Sequence, residues 1–396
     1  MDDQPKSVKD LLVEAKDASE LMVDLAYAAV FFDDEKLAQE VERLEERMNG
    51  HLRRLREVAM LAARSPEDAE AMAGVLWIAG AVEKIGEAAS DIARVVEARL
   101  GIPDALRRDL RHADEMTARV KVGAAASVIG RELRELSLPT ETGMWVMAIR
   151  SGIEWQFDPG PDDVLSEGDV LLVRGPEEGV TLLRELAGAP GRPEPLDDDA
   201  PPLSELDRAV DILVELKDQS EAAVGLAYSS ILFNNRALAA EVGALEAQSD
   251  TLHDELESWV LRAAPEARNP DDLRGLLRLG SASESVCDAA RDLTWYVEHG
   301  EPLHPVVQLA LEETEETSAE TVVEPGTPAD GRSLKDLRLE TETGMFVLAV
   351  QRGPRWIYRP RGPFVLQAGD RLIAVGPEEG AEALDALCRV AAPAAS

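Results

Sequence analysis

The chain has 396 residues, enough for two to four domains, and 45% of them are hydrophobic, as in ordinary globular proteins. Its charge is unusual, because 41 basic and 77 acidic side chains give a formal net charge of −36. Such a field repels phosphate backbones and anionic lipids, so nucleic acid is excluded as an expected partner. Strong acidity with lysine scarce beside arginine is typical of proteins that work in molar salt, where like charges are screened within about 3 Å.

Several function classes lack the sequence features that they need. No apolar run approaches the roughly 18 residues of a membrane-spanning helix, and the first residues carry no hydrophobic signal segment. We therefore expect a cytoplasmic protein without direct membrane insertion. Cys287 and Cys388 are too few for a disulfide framework and are interpreted as buried thiols. The five histidines have no metal-ligand spacing, and no phosphate-binding loop or hydrolase motif occurs, so the chain is not expected to be an enzyme.

An internal repeat organises the chain. Early in each half, LAYAAVFF matches LAYSSILF, which places Tyr27 and Tyr228 201 positions apart. Near the end of each half, TETGMWVMAI matches TETGMFVLAV, and Trp155 and Trp356 are again 201 positions apart. The constant offset means that no net insertion separates the first and last matches. The sequence therefore consists of two copies of one unit.

Each copy begins with amphipathic helices. From about residue 5 to 98, apolar residues recur at steps of three and four. Residues that cap helices interrupt this pattern at Asp33–Asp34 and at Ser65-Pro66. The pattern predicts three long helices, and an antiparallel three-helix bundle is their simplest packing.

The period changes after the helices. Apolar and polar residues alternate around glycine turns in GMWVMAIRSGIEWQF and in DVLLVRGPEEG, which predicts strands. The whole segment reads β-α-β-β-β-α. A domain of about 70 residues buries only a modest core, so we expect it to pair with a like domain.

These segments divide the chain into five parts, and the predicted fold class is α+β multidomain. The predicted parts are a helical bundle at 1–118, a small α/β domain at 119–189, an acidic proline-rich linker at 190–204, a second bundle at 205–319 and a second small domain at 320–396.

The small domain resembles the TrkA-C type, the C-terminal domain of regulators of potassium conductance. The resemblance covers nearly its whole length and depends on spacing. The first copy shows it at Ile149-Arg150, Gly152, Pro159, Leu165, Gly168-Asp169, Leu171 and Gly175. The second copy shows it at Gly353, Pro360, Leu366, Gly369-Asp370, Leu372 and Gly376, but has Val350-Gln351 in place of the Ile-Arg step.

This resemblance implies a ligand as well as a fold. Relatives of this type can bind cyclic di-AMP in a cleft between paired domains, where backbone amides and an arginine meet phosphate. The candidate ligand-binding residues here are Arg131, Arg150, Gly175 and Gly376. The alternative is a dimerisation module without a ligand.

The helical segment resembles one bundle of the PhoU family, whose helices carry acidic residues four positions apart. Residues at this spacing stack on one helical face, so their oxygen atoms could hold a divalent metal. The candidate metal ligands are Glu45, Glu83, Glu87 and Asp91 in the first bundle, and Glu246, Asp250, Glu284, Asp288 and Asp292 in the second. Asn49 stands where the second bundle has Asp250. The alternative is a solvated acidic face.

The combination of PhoU-like and TrkA-C-like domains is similar to that of cytosolic regulators, and a haloarchaeal source is expected. It implies a sensor subunit of potassium transport, with a potassium channel or transporter in the membrane as partner and a homodimer as assembly. The alternative is a metal-binding PhoU-type adapter in phosphate transport signalling. A hydrolase would need a nucleophile or an activated water, and only the acidic residues named above as candidate metal ligands could supply one.

Overall fold

The fold is described from a computed structural model, which covers residues 6–103, 105–106, 116–152, 154–189, 205–265, 267 and 269–390. The predicted linker at 190–204 lies outside these residues. No helix among the described residues is both long and apolar enough to cross a membrane.

The first repeat begins with three long helices, which end where the sequence predicts. They are α1 (Val8–Phe32), α2 (Glu35–Ala62) and α3 (Pro66–Glu97). Asp34 accepts a hydrogen bond from the amide of Lys36, and Ser65 accepts one from the amide of Asp68, so both predicted breaks are helix N-caps. The three helices pack on one another as a bundle.

The first small domain follows as a four-stranded antiparallel sheet with short helices. Its elements are β1 (Met116–Lys121), α4 (Leu133–Leu136), α5 (Leu138–Thr142), β2 (Trp145–Ser151), β3 (Glu154–Phe157), β4 (Val170–Gly175) and α6 (Glu177–Leu186). The strand order is β1-β4-β2-β3, so β4 and β2 occupy the centre.

The second repeat follows the same plan. Its bundle contains α7 (Glu205–Leu232), α8 (Arg236–Ala263) and α9 (Pro270–His299), followed by the short α10 (Val306–Leu311). Its small domain contains β5 (Thr317–Val322), α11 (Leu334–Leu337), α12 (Leu339–Thr343), β6 (Phe346–Arg352), β7 (Arg355–Tyr358), β8 (Arg371–Gly376) and α13 (Glu378–Cys388). The strand order, β5-β8-β6-β7, matches that of the first sheet.

The compact units of the molecule are not the two sequence repeats. The two helical bundles form one unit, in which α3 packs along α9, and the two small domains form the other. Each part therefore packs against its own counterpart from the other half of the chain.

The two bundles meet at a duplicated polar contact inside the helical unit. The Tyr27 hydroxyl lies 2.8 Å from the Ser283 hydroxyl and 3.4 Å from that of Ser220, and the Tyr228 hydroxyl lies 3.3 Å from that of Ser19. Burial raises the pKa of Tyr27 to about 12, so its phenol stays protonated and available for hydrogen bonding.

A buried lysine accompanies each tyrosine of this contact. The Lys217 ammonium lies 5.4 Å from the centre of the Tyr27 ring, and that of Lys16 lies 5.6 Å from the centre of the Tyr228 ring. Each lysine also pairs with a glutamate one helical turn later. Buried polar groups that satisfy one another in this way fix the register of the interface.

We expect Tyr27→Phe to lower the free energy of unfolding of the helical unit by about 1 kcal/mol, because it removes a buried hydrogen bond between the bundles. Urea unfolding followed by the helical circular dichroism signal measures the change. Tyr296→Phe is the matched control, because its partly buried ring has no hydroxyl partner among the described contacts. Equal stability of the two variants would contradict this role of Tyr27.

Each sheet has two faces with different partners. Directly paired residues lie on the same face, and Leu171, Val173 and Ile149 face the helices of their own domain. The opposite face, which we call the outer face, carries the buried residues Met147, Ala148 and Leu172 in the first domain and Leu348, Ala349 and Ile373 in the second. These six residues belong to neither domain core.

The two outer faces are turned toward one another. Trp145 and Arg174 of the first outer face line the same cavity as Phe346 and Val375 of the second. The two sheets therefore cover the apolar residues that their own helices leave uncovered.

Helices α5 and α12 also pack together, and a pair of glycines permits this contact. Gly143 and Gly344 end these helices with positive φ angles of 72° and 71°. A Cβ atom on Gly344 would lie 2.6 Å from the carbonyl oxygen of Pro139, and one on Gly143 would lie 2.9 Å from that of Glu340. The two domains approach so closely here that only glycine fits at either position.

We expect Gly344→Ala to destabilise the small-domain pair by about 2 kcal/mol or more, because backbone strain and a clash with Pro139 act together. Gly353→Ala is the matched control, since Gly353 has a φ of 60° but nothing within 4 Å of an added Cβ. Thermal unfolding followed by tryptophan fluorescence compares the two. A loss no larger than that of the control would contradict the close contact.

Candidate functional sites

The second bundle gathers acidic residues from two helices. Glu246 and Asp250 lie one turn apart on α8, and Asp288 faces them from α9, so that one carboxylate oxygen of each lies within 4.8 Å of the others. Asp250 and Asp288 are exposed, and Glu246 is half-buried. Three hard oxygen donors at this separation fit a divalent cation such as Mn²⁺ or Mg²⁺.

The electrostatics of this acidic cluster reflect crowding. Partial desolvation of the Asp288 carboxyl, which lies in a crowded but solvent-exposed row, raises its pKa above the usual value, and the charges of Glu246 and Asp250 raise it further. Burial and the charge of Asp288 likewise raise the pKa of Glu284, one turn earlier on α9. A bound cation would relieve this repulsion.

Two basic side chains of the protein already contact acidic residues of α8 and α9. Arg291 donates to Glu246 at 2.6 Å, and Lys84 reaches across from the first bundle to Asp292 at 2.5 Å. The Asp292 backbone carbonyl also accepts a hydrogen bond from the Trp77 ring nitrogen at 2.7 Å. Asp292 is therefore used in the contact between bundles, while Asp250 and Asp288 face solvent.

The first bundle does not reproduce the acidic cluster among its described residues. Arg94 donates to Asp91 at 2.8 Å and lies 3.6 Å from Glu45 and 4.0 Å from Glu42. Arg56 pairs with Glu83 at 2.5 Å. In the second bundle Arg291 contacts only Glu246 among the three clustered carboxylates, whereas in the first bundle Arg94 lies among three carboxylates. The aspartate of the second bundle is also replaced by Asn49, so the first row lacks one acidic donor.

The predicted ligand-binding arginines of the first small domain lie in different places. Arg131 precedes α4, is exposed, and donates to the backbone carbonyl of Glu135 at 2.6 Å. Arg150 lies on the outer face of the sheet, with its guanidinium 5.5 Å from the centre of the Trp155 ring. Its Nε is buried and has no hydrogen-bond partner in the described part of the chain.

Sequence reasoning missed a second cation beside Arg150. Arg119 lies on the same outer face, with its guanidinium 5.6 Å from the centre of the Trp155 ring. The Trp155 ring in turn stacks on Phe157. The alternation of β1 could have placed Arg119 on this face, but the pairing of β1 with β4 was needed to relate it to Arg150.

The glycines proposed for ligand binding have a packing role. A Cβ atom on Gly175 would lie 2.3 Å from the carbonyl oxygen of Gly143, and one on Gly376 would lie 2.5 Å from that of Gly344. Both glycines therefore bring the end of a strand against the end of a short helix in their own domain. This contact explains the glycine without a ligand.

The aspartate of each Gly-Asp step also has a structural role. Asp169 accepts a hydrogen bond from the Ser166 amide, and Asp370 accepts one from the Gln367 amide, both at 2.8 Å. The carboxylate thus closes the turn before the central strand. Arg352 further holds Asp370 through two hydrogen bonds.

A small cavity lies between the two small domains. It has about 20 Å³ of free space, which is room for about one water molecule. Its charged lining residues are Arg174, Glu316 and Glu340, together with the aromatic rings of Trp145 and Phe346. A ligand as large as a dinucleotide would bind here only if the domains moved apart.

Comparisons with known proteins find two domain families in the chain. The TrkA-C domain model matches residues 117–188 and 319–389, and the PhoU domain model matches residues 12–96. The chain thus contains segments that match two domain families. In particular, it combines a PhoU domain with two TrkA-C domains, which confirms the resemblance stated from the sequence. No curated protein matches the chain.

Several solved structures are remotely similar. PhoU from Pseudomonas aeruginosa is 15% identical, with a TM-score of 0.40, over 74% of this chain and 96% of that chain. The phosphate transport system regulatory protein PhoU from Streptococcus pneumoniae is 10% identical, with a TM-score of 0.38, over 75% and 96%. The GsuK RCK domain is 14% identical, with a TM-score of 0.18, over 79% and 77%. Similarity at this level does not extend to function.

We expect Asp288→Asn to raise the free energy of unfolding at pH 7 in the absence of divalent metal, by less than about 1 kcal/mol because water screens the exposed group. The folded-state pKa of Asp288 is raised, so its ionised form opposes folding at high pH. The advantage of the variant should therefore disappear as the pH falls through the folded and then the unfolded pKa of Asp288. Urea unfolding at pH 4 and pH 7 measures it, and a variant that is less stable than the wild type at pH 7 would contradict the repulsion.

Proposed function

We propose that the chain is a non-enzymatic, cytoplasmic regulatory subunit of potassium transport, in which the paired small domains sense a small ligand. The observation that carries this proposal is that both small domains match TrkA-C and pair with each other by their outer faces within one chain. Its partner is the membrane subunit of a potassium channel or transporter.

A ligand acts in this mechanism by changing how the two small domains pack. The two outer faces pack together with only a small cavity between them, so a ligand that enters between the faces favours a more open pair over the closed one. The free energy available to move a membrane partner is the difference between the ligand's binding free energies for these two states. The GPEEG turns and the short helices at the cavity would transmit the movement, because they meet at the two glycine contacts.

Cyclic di-AMP is the proposed ligand, and Arg150 is its proposed contact. The support is chemical: the buried Arg150 Nε has no partner in the described part of the chain and could donate a hydrogen bond to a phosphate, and the adjacent Trp155 ring could stack on a base. The second domain has Gln351 at this position, so the two halves of the pair would contribute unequally. A homodimer of the whole chain remains a prediction.

Calorimetric titration of cyclic di-AMP into the full chain in molar potassium chloride tests the ligand. We expect saturable binding by the wild type and a loss of about tenfold or more in affinity for Arg150→Ala, since a hydrogen bond to a charged group is removed. Arg355→Ala is the matched control, because Arg355 is an exposed arginine on β7. Absence of binding by the wild type would contradict the ligand and favour the alternative function.

The alternative is a metal-binding PhoU-type adapter in phosphate transport signalling. The acidic cluster of Glu246, Asp250 and Asp288 favours it, because three carboxylates converge and two of them, Asp250 and Asp288, are open to solvent. This function assigns the binding role to the helical unit and leaves the small domains as an assembly device.

Metal stoichiometry distinguishes the two bundles. We expect the wild type to bind one Mn²⁺ per chain, and Asp288→Asn to bind none, as measured by metal analysis after dialysis. The double variant Asn49→Asp, Arg94→Ala should bind a second ion, because it supplies the missing carboxylate and removes the guanidinium from the first row. Wild-type protein without bound metal would contradict the adapter function.

A further inference from the structure

The outer faces of the two small domains differ in charge although their folds match. The first carries four basic residues and no acidic residue on its strands: Arg119, Lys121, Arg150 and Arg174. The second carries Glu320 and Arg371, which pair with each other at 3.1 Å. The first outer face is thus strongly basic, in a chain whose net charge is −36.

No basic position is shared between the two faces. In the second domain Glu320, Val322, Gln351 and Val375 occupy the positions of the four basic residues of the first. The apolar centres, in contrast, are alike, with Leu172 opposite Ala148 in the first sheet and Ile373 opposite Ala349 in the second. The two copies have kept the apolar contact and diverged in charge around it.

One ion pair joins the faces directly. Arg174 on β4 pairs with Glu316, which lies immediately before β5 in the other domain, and their side chains are only 13% and 17% exposed. The guanidinium also lies 6.0 Å from the centre of the Trp145 ring. An ion pair removed from water in this way is weakly screened by salt, and losing either partner leaves the other charge buried.

We propose that the outer face of the first small domain selects the second small domain as its partner and rejects a second copy of itself. Two first domains placed face to face would bring eight basic residues around one apolar centre, and neither would supply a carboxylate to Arg174. Specificity of this kind comes from the penalty on the wrong pair as much as from the correct contact. The small-domain pair is therefore complete within one chain, and association of whole chains uses another surface.

The test exchanges the charges of the ion pair in the full chain. Arg174→Glu and Glu316→Arg should each raise the equilibrium constant for unfolding of the small-domain pair by about tenfold, and the double exchange should recover most of this loss of stability. Arg134→Glu is the matched control, since Arg134 is exposed and pairs with Glu132 within its own domain. Urea unfolding followed by tryptophan fluorescence measures all four variants.

Mixing the two single variants tests partner choice without relying on stability. The first domain of the Arg174→Glu chain then offers a carboxylate to the arginine at position 316 of the Glu316→Arg chain. We expect sedimentation velocity to show a larger complex in the mixture than in either variant alone. Additive effects of the two substitutions in the double exchange would overturn the proposal. Cross-linking between two Trp145→Cys chains would also overturn it, because it would show that two first domains lie face to face.

Discussion

Each small domain has a sheet with two apolar faces and helices for only one of them. A four-stranded sheet of this size cannot leave Leu172 or Ile373 in water without losing much of its modest core energy. The second face must therefore be covered by something other than the domain's own helices, and here the cover is the other copy of the domain. The glycine contacts between α5 and α12, the ion pair of Arg174 and the nearly closed cavity all follow from this pairing.

The two bundles of the helical unit also cover one another, and buried polar groups take part in their contact. Its bundles are related by the same offset of 201 positions, and the tyrosine of each bundle reaches the serine of the other. The two bundles nevertheless differ in charge. Among the described residues, the acidic cluster is found in the second bundle only, and the first has Arg94 and Asn49 in the corresponding region. Both units are therefore symmetric in fold and asymmetric in chemistry.

The sequence was sufficient to predict the elements, and the pairing of a small domain with a like domain, but not which surfaces meet. Helix breaks at Asp34 and Ser65 and the strands around the glycine turns could be predicted, because local capping and alternation determine them. Packing of bundle on bundle and sheet on sheet depends on contacts about 200 residues apart, for which a single sequence has no local signal. The acidic spacing on α8 and α9 predicted three residues of one cluster, but it could not show that Lys84 from the other bundle neutralises Asp292. Gly175 and Gly376 stay predicted ligand contacts, and the sequence could not show that each also lies against the carbonyl oxygen of a glycine in its own domain.

The chain passes between its two compact units three times, near residues 113, 199 and 314. During synthesis, the first bundle and the first small domain emerge with their partner surfaces uncovered, and those partners are made only at the end of the chain. Contacts between parts about 200 residues apart form late, because the entropy lost on closing so long a chain segment must be offset first. We therefore expect the first half of the chain, made without the second, to be prone to aggregation.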